Sequence, residues 1–260
     1  MELKGKHAVV CGSTQGIGLE TAKLMAARGA KLTLIARNEQ KLKEAISLLD
    51  KSANQTHDYL VADFSVPESL RSILSEYVAN GNTPGILVNN TGGPKGGPIK
   101  DADISEFLAA FNQHLICNHI LVQALYPGMA KNNSGRIINV ISTSVKQPLN
   151  GLGVSNTVRG AVANWSKTLA NELGQYNITV NNVLPGATNT GRLQSIAESK
   201  ATKSNNSVDQ VFDEMAKQSP MNRIAEPREI AEAIAFLASD RASYINGINV
   251  PVDGGRTKSL

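Results

Sequence analysis

A short apolar run, His7–Gly12 (HAVVCG), enters a glycine-rich turn, Gly12-Ser13-Thr14-Gln15-Gly16-Ile17-Gly18, and leaves it as an amphipathic stretch, Ile17–Arg28. No other junction in the chain restricts the fold as strongly. Glycines between a strand and a helix allow a tight turn and close packing of the helix on the strand. The rhythm then repeats. Compact apolar runs at Lys31–Ala36, His57–Ala62 and Gly85–Asn89 alternate with helical stretches. One of these opens on Asn38 as an N-cap and runs to about Asp50; another, Pro67–Asn80, opens on proline. Alternation at this spacing predicts βαβ units, a parallel sheet and a doubly wound α/β fold with helices on both faces.

The second half continues the pattern. Asp103–Lys131 predicts one or two helices broken near Pro127-Gly128, and Arg136–Ile141 a fifth strand buried on both faces, since it lacks alternation. A long helix rich in small residues follows over Val154–Leu173, then a sixth strand over Ile178–Leu184. Glu229–Ala238 reads as an amphipathic helix and Ile248–Val252 as the last strand. The segment 188–219, between the sixth strand and that helix, is polar and weakly periodic, and reads either as a substrate lid or as a surface excursion. No repeat or linker divides the 260 residues, so a single domain over 1–260 is expected.

Composition excludes several roles. Hydrophobic residues at 41% and charged residues at 18% describe a soluble globular chain. A net charge of +4, with only 4% aromatics, is too thin and scattered for a nucleic-acid surface. No run of apolar residues is long enough to span a membrane or to form a signal peptide. Two cysteines, Cys11 and Cys117, cannot staple a chain of this size and fit a reducing, cytoplasmic compartment. His114 and His119 are five apart, the wrong spacing for two ligands on one helix face, and no metal site is expected.

The glycine loop also suits a ligand. A helix N-terminus behind it offers free N–H groups and a positive dipole end to a diphosphate, as in a dinucleotide site. The spacing Gly-x-x-x-Gly-x-Gly departs from the general dinucleotide fingerprint, and a ligand-free turn would use the same glycines. At the end of the second strand, where an acid would hold the ribose hydroxyls of NAD, the chain has Ala36 and Arg37. A guanidinium there would pair with a 2′-phosphate, which favours NADP(H) over NAD(H); a solvated loop arginine is the plain alternative.

Across nearly its whole length the sequence resembles the short-chain dehydrogenase/reductase family, particularly 3-oxoacyl-acyl-carrier-protein-reductase-like members. The resemblance rests on Cys11–Gly18, Asp63-Phe64, Asn89-Asn90-Thr91-Gly92, the stretch from Gly135 to Ser142, Asn181–Gly186 (NNVLPG) and Val252-Asp253-Gly254-Gly255, in order. It implies a single-domain Rossmann fold with a seven-stranded parallel sheet, often in a homotetramer packed through two long central helices. It implies cofactor contacts from Gly12, Ser13, Thr14, Gln15, Gly16, Ile17 and Gly18, and from Asp63 and Phe64 near the adenine. Asn90, Thr91 and Gly92 would lie beside the ribose and nicotinamide, and Pro185, Gly186, Thr188 and Thr190 around the carboxamide.

The family reaction is hydride transfer between a nicotinamide and a carbonyl or alcohol. A Tyr-x-x-x-Lys pair on one helix normally supplies the proton, with a Ser at the end of the fifth strand and an Asn in an earlier helix. Ser142 matches the family Ser. The family spacing places the Tyr position at Ser155, the Lys position at Arg159 and the Asn position at His114. A serine is a poor acid at neutral pH, and an arginine holds its charge while stabilising an oxyanion or a ribose. His114, a group that ordinarily titrates near neutrality, is either a replacement acid–base or a hydrogen-bonded helix residue. The other tyrosines fall on elements away from the expected site. The sequence therefore supports an NADP-preferring oxidoreductase acting on a carbonyl or acyl-thioester substrate, with Ser142, Ser155, Arg159 and His114 as candidate catalytic residues. A cofactor-binding protein without turnover, acting as sensor or partner subunit, and altered lyase-type chemistry are the alternatives. Lys95, at the crest of the Thr91–Pro98 loop (TGGPKGGP), is a candidate for an anionic substrate group or simply a solvated lysine.

Overall fold

The computed structural model describes residues 1–259. Seven parallel strands form one sheet: β1 (His7–Cys11), β2 (Lys31–Ala36), β3 (Asp58–Val61), β4 (Ile86–Asn89), β5 (Gly135–Val140), β6 (Ile178–Pro185) and β7 (Asn249–Val252). Their spatial order is β3-β2-β1-β4-β5-β6-β7. The order reverses between β1 and β4, and open parallel sheets bind ligands beyond the carboxyl ends of the strands at such a point.

Nine α-helices connect the strands among the described residues: α1 (Gly16–Ala27), α2 (Glu39–Ser47), α3 (Pro67–Ala79), α4 (Ile104–Phe111), α5 (Cys117–Lys131), α6 (Gly153–Leu173), α7 (Gly191–Ser204), α8 (Val208–Lys217) and α9 (Pro227–Ala238). Side-chain alternation divides each central strand between two layers. On β1, Ala8 and Val10 join the core formed with Met25 of α1, Leu42 of α2 and Ile234 of α9. Val9 and Cys11 join the opposite core, with Leu74 of α3, Leu121 of α5 and Leu169 of α6. A fully apolar strand is what burial on both faces requires.

One expectation needs correction. The helix predicted to break at Pro127-Gly128 continues through them, and Pro127 lies inside α5. Pro127 and Gln123, whose carbonyl loses its helical donor, are both exposed, so the proline lies on the solvent side of the helix and not in the core. The irregularity comes earlier, as a π-helical turn over Asn112–Ile116 between α4 and α5. The polar segment 188–219 carries two helices, α7 and α8. Thr190 caps α7, and Ser207 and Gln210 form a capping box on α8. These two helices bury Ala197, Ala201, Val211 and Met215 in a small core of their own. No helix of the described residues is long and apolar enough to cross a membrane.

Candidate functional site

The turn after β1 shows why its glycines are needed. Gly12 and Gly16 have φ of 57° and 54°, in the left-handed region that side chains disfavour. A Cβ on Gly12 would lie 2.6 Å from the Asn90 carbonyl oxygen, and one on Gly18 2.1 Å from that of Gly12. Ser13 is fully buried, its Oγ donating to the Ile35 carbonyl at 3.5 Å. Thr14 and Ile17 are half-buried, and Gln15 is exposed at the N-cap of α1. No side chain caps α1 and no acid lies in its first turn, so its N-terminal N–H groups remain open to an anion. A cradle that any Cβ would fill, facing an uncapped helix, fits a dinucleotide diphosphate.

Asn90 turns its amide onto this loop, donating to the carbonyls of Cys11 and Gly12 at 3.3 Å each. Arg37 is exposed at the end of β2 and makes no ion pair among the described residues. The exposed Asp63 carboxylate accepts the Ser65 N–H at 2.9 Å; hydrogen bonds from Ser65, with a small contribution from the Arg37 charge, hold its pKa below the ordinary value. Phe64, half-buried beside it, accepts from the Cys117 thiol. Beyond β6, Pro185 ends the strand and Gly186 packs against Asp253, where a Cβ would meet the Asp253 Cα at 2.7 Å. Thr188 is buried, and Thr190 reaches back so that its methyl would touch a Cβ on Gly16 at 3.1 Å. The loop after β6 and the glycine turn thus face one another. Gly92 is exposed, with open space around it.

Ser142 stands just past β5 with its Oγ accepting the Ser144 N–H at 3.1 Å. Arg159 and Ser155 lie one turn apart on α6, which places them on one helix face. Ser155 is half-buried, and its hydroxyl has no hydrogen-bond partner among the described residues. Arg159 is buried, 7% exposed, and donates Nη1 to the Val140 carbonyl at 3.1 Å. No carboxylate of the described residues meets it. Burial, and then the charge of Arg192, lower its pKa to about 10. The other buried arginine, Arg136, is different: it donates to the Gly135 carbonyl at 2.8 Å and lies 3.7 Å from the Asp240 carboxylate.

His114 occupies the π-helical turn, 1% exposed. Its Nδ1 is hydrogen-bonded to Thr91 Oγ1, while its Nε2 is buried without a partner among the described residues. Burial, followed by the charges of Arg159 and Arg192, lowers its pKa to about 2. A ring so placed is neutral at physiological pH, so the near-neutral titration expected from sequence does not occur in this setting. It remains able to donate or accept one hydrogen bond through Nε2.

Several features here have no counterpart in the sequence reading. Arg192, on the first turn of α7, donates to the Pro94 carbonyl, and its guanidinium packs against Gly93. The Thr91–Pro98 loop is itself pinned: Gly97 bridges to Leu152, its N–H donating to the Gly151 carbonyl at 2.8 Å. Lys95 stays exposed on it. Below the site, Asn89, Asn139, Asn182 and Asn249 stand side by side on β4 to β7, in register. Their amides donate in sequence at 2.8, 3.0 and 2.8 Å. The only signal for the ladder was an asparagine in each of four apolar strands. For Arg192 the sequence held no signal beyond its place in the polar segment. Among the described residues, no cluster of His, Cys, Asp and Glu could hold a metal ion.

Comparison with known proteins agrees with this architecture. Residues 12–257 match the family described as enoyl-(acyl carrier protein) reductase. The chain is 31% identical over 257 residues to the 3-oxoacyl-[acyl-carrier-protein] reductase FabG of Vibrio cholerae, covering 98% of each. It is 29% identical to the NADPH-dependent reductase BacG of Bacillus subtilis, covering 98% of this chain and 99% of that one. The crystal structure of L-sorbose reductase from Gluconobacter frateurii, complexed with NADPH and L-sorbose, superposes with a TM-score of 0.92, 31% identity and full coverage of both chains.

Proposed function

The chain belongs to the short-chain dehydrogenase/reductase family, and from that premise we propose that it is an NADP(H)-preferring oxidoreductase acting on the carbonyl of a small molecule or acyl thioester. The observation that carries this reading is the glycine cradle under an uncapped α1, built so closely that Gly18 has no room for a Cβ. The unpaired Arg37 at the end of β2 supports the 2′-phosphate form of the cofactor, as do relatives whose names and complexes specify NADPH.

When bound, the cofactor supplies or accepts a hydride at the carbonyl carbon. The residues of this chain must then orient the carbonyl and stabilise charge on its oxygen. Ser142, beyond β5, and Ser155, on α6, are the hydroxyl donors for that oxygen. Arg159 is the fixed positive charge beside them, which lowers the energy of a developing alkoxide without giving up a proton. Water is then the proton source for the alkoxide, since no phenol stands at position 155. His114 is a neutral hydrogen-bonding wall rather than the acid. Arg192, α7 and α8 form the lid over the site.

Ile104 and Leu108, 78% and 61% exposed and one turn apart on α4, support a homo-oligomer, dimer or tetramer, built through this side of the molecule. Cys11 and Cys117 as buried free thiols support a reducing, cytoplasmic setting. The test is a fluorescence titration with NADPH and NADH, followed by NADPH oxidation with ketones and 3-oxoacyl thioesters. Tighter NADPH binding with turnover of at least one carbonyl is the expected result. Binding without any turnover would support a cofactor-binding protein instead, and absence of binding would remove the reading altogether.

A further inference from the structure

Charge is unbalanced around this site in a specific way. Arg159 is buried with one of its five N–H donors satisfied, by the Val140 carbonyl. Arg192 packs its guanidinium against Gly93, two residues along from the Thr91 that is hydrogen-bonded to His114, and its charge bears on both Arg159 and His114. No acidic group acts on either arginine: burial and Arg192 account for the shift at Arg159, and burial alone for that at Arg192. Among the described residues neither forms an ion pair, although surface arginines such as Arg28 and Arg223 do. Among the described residues the buried His114 Nε2 also lacks a partner, as do the side-chain oxygens of Thr143 and Ser144, the two residues after Ser142.

An uncompensated buried guanidinium is costly, and folded chains normally pair or neutralise such a group. The parts of the cofactor that reach Arg159 do not remove its imbalance: ribose hydroxyls and a carboxamide are neutral, and an oxidised nicotinamide ring adds positive charge, while the diphosphate is matched to the glycine turn and the N-terminus of α1. A second anion beside Arg159 would balance it, where the charge of Arg192 and the neutral imidazole of His114 also bear.

We propose that the substrate carries an oxyanionic group, a carboxylate or phosphate, held between Arg159 and Arg192. Arg192 is the specificity-determining residue, because it sits on the lid and reaches over the pinned Gly93-Pro94 loop. Arg159 contributes charge from below. The His114 ring between their fields completes the pocket as a neutral hydrogen-bond partner. This deepens the reading of the site as a nicotinamide-dependent reductase, since it assigns the substrate class of that same site. It also explains what holds the lid down, because an anion drawn to Arg192 keeps α7 closed over the pocket during hydride transfer.

The experiment separates the two claims. Enzyme saturated with NADP⁺ is titrated calorimetrically with acetoacetate, with inorganic phosphate and with methyl acetoacetate as the neutral counterpart. At least one anion should bind saturably while the ester does not. Its affinity should drop by about tenfold or more in Arg192→Gln and recover partly in Arg192→Lys, as loss and restoration of one charge-assisted contact require. NADPH affinity, read separately, should stay unchanged in Arg192→Gln. The inference is overturned if neither anion binds, if the ester binds as tightly as the acid, or if Arg192→Gln leaves anion affinity intact. It is equally overturned if Arg192→Gln weakens NADPH as much as the anion, which would assign the arginine to the cofactor diphosphate. Failure of NADPH to bind the native enzyme would strike the oxidoreductase reading itself, and the same anion titration on the cofactor-free protein would still decide the charge claim. Arg192 is exposed on the first turn of its helix, so its variants keep the fold; matching thermal melts confirm this.

Discussion

Replacing Arg159 with methionine should make the ligand-free protein more stable while disabling it. The side chains are of comparable length, so a well-packed volume is largely retained. What is lost is a buried charge and one hydrogen bond to the Val140 carbonyl. Burial and Arg192 lower the Arg159 pKa from the ordinary guanidinium value to about 10. A folded pKa below the unfolded one means that the unfolded chain holds this proton more tightly. The resulting penalty is complete at every pH below about 10 and is relieved only as pH rises towards 12.5. At 1.36 kcal/mol per unit it amounts to about 3 kcal/mol at neutral pH. Losing the Val140 contact returns about 1 kcal/mol. The net expectation is a gain of about 2 kcal/mol, or about 4–8 °C in Tm for a chain of this size.

The assay is urea unfolding of cofactor-stripped native protein and Arg159→Met at matched protein concentration, with the m-value compared so that a midpoint shift reports stability alone. NADPH is then added to both. Native protein should gain stability with ligand concentration, and the variant should gain less while losing turnover, the pattern of a residue retained for function at a cost in stability. A variant no more stable than native protein without ligand would falsify the premise that Arg159 is an uncompensated charge. It would also weaken the case for an anionic substrate.

Arg37→Asp should weaken NADPH binding by about ten- to a hundredfold and strengthen NADH, measured as the ratio of the two dissociation constants; an unchanged ratio would detach Arg37 from the cofactor. His7, hydrogen-bonded to Thr33 Oγ1 at 2.9 Å beneath the sheet, has its pKa lowered to about 4, mainly by burial and next by Lys31. Stability should therefore be present in full above the unfolded value near 6.5 and decline as pH falls towards 4, by at most about 1.4 kcal/mol per unit. His7→Gln should make that decline shallower in thermal melts across the window, and an identical slope would refute the assignment. The double variant Ser155→Tyr/Arg159→Lys should raise NADPH-dependent ketone reduction above the native rate, because a phenol with an adjacent ammonium supplies the proton directly. No gain, with NADPH binding retained, would mean that these two positions do not face the carbonyl.

Much of the fold was legible because its signals are local. The glycines between β1 and α1 announce a strand-to-helix turn, and each apolar run marks a strand, buried on both faces in the central strands such as β4 and β5. Pro127 misled because proline's effect depends on which face of the helix it occupies, and only packing sets that. Asn89, Asn139, Asn182 and Asn249 are isolated polar residues in four separate apolar runs. Their partnership depends on lateral register, which no single strand encodes.

The candidate site divides along the same line. Counting along a helix finds Ser155 and Arg159, since i and i+4 share a face whatever surrounds them. It cannot tell whether Arg159 is answered by an acid, because that acid could come from any of the elements converging there. Arg136 and Arg159 are the same residue type and both buried, yet one lies 3.7 Å from the Asp240 carboxylate while the other has no carboxylate partner among the described residues and feels the charge of Arg192. His114 shows the consequence. Its residue type suggests a group that titrates near neutrality, but out of water and under the charges of Arg159 and Arg192 it stays a neutral imidazole and not an imidazolium acid. The chemistry of this pocket therefore depends less on which family residues were lost than on the charge that their replacements leave unbalanced, and a substrate bringing the opposite charge would complete it.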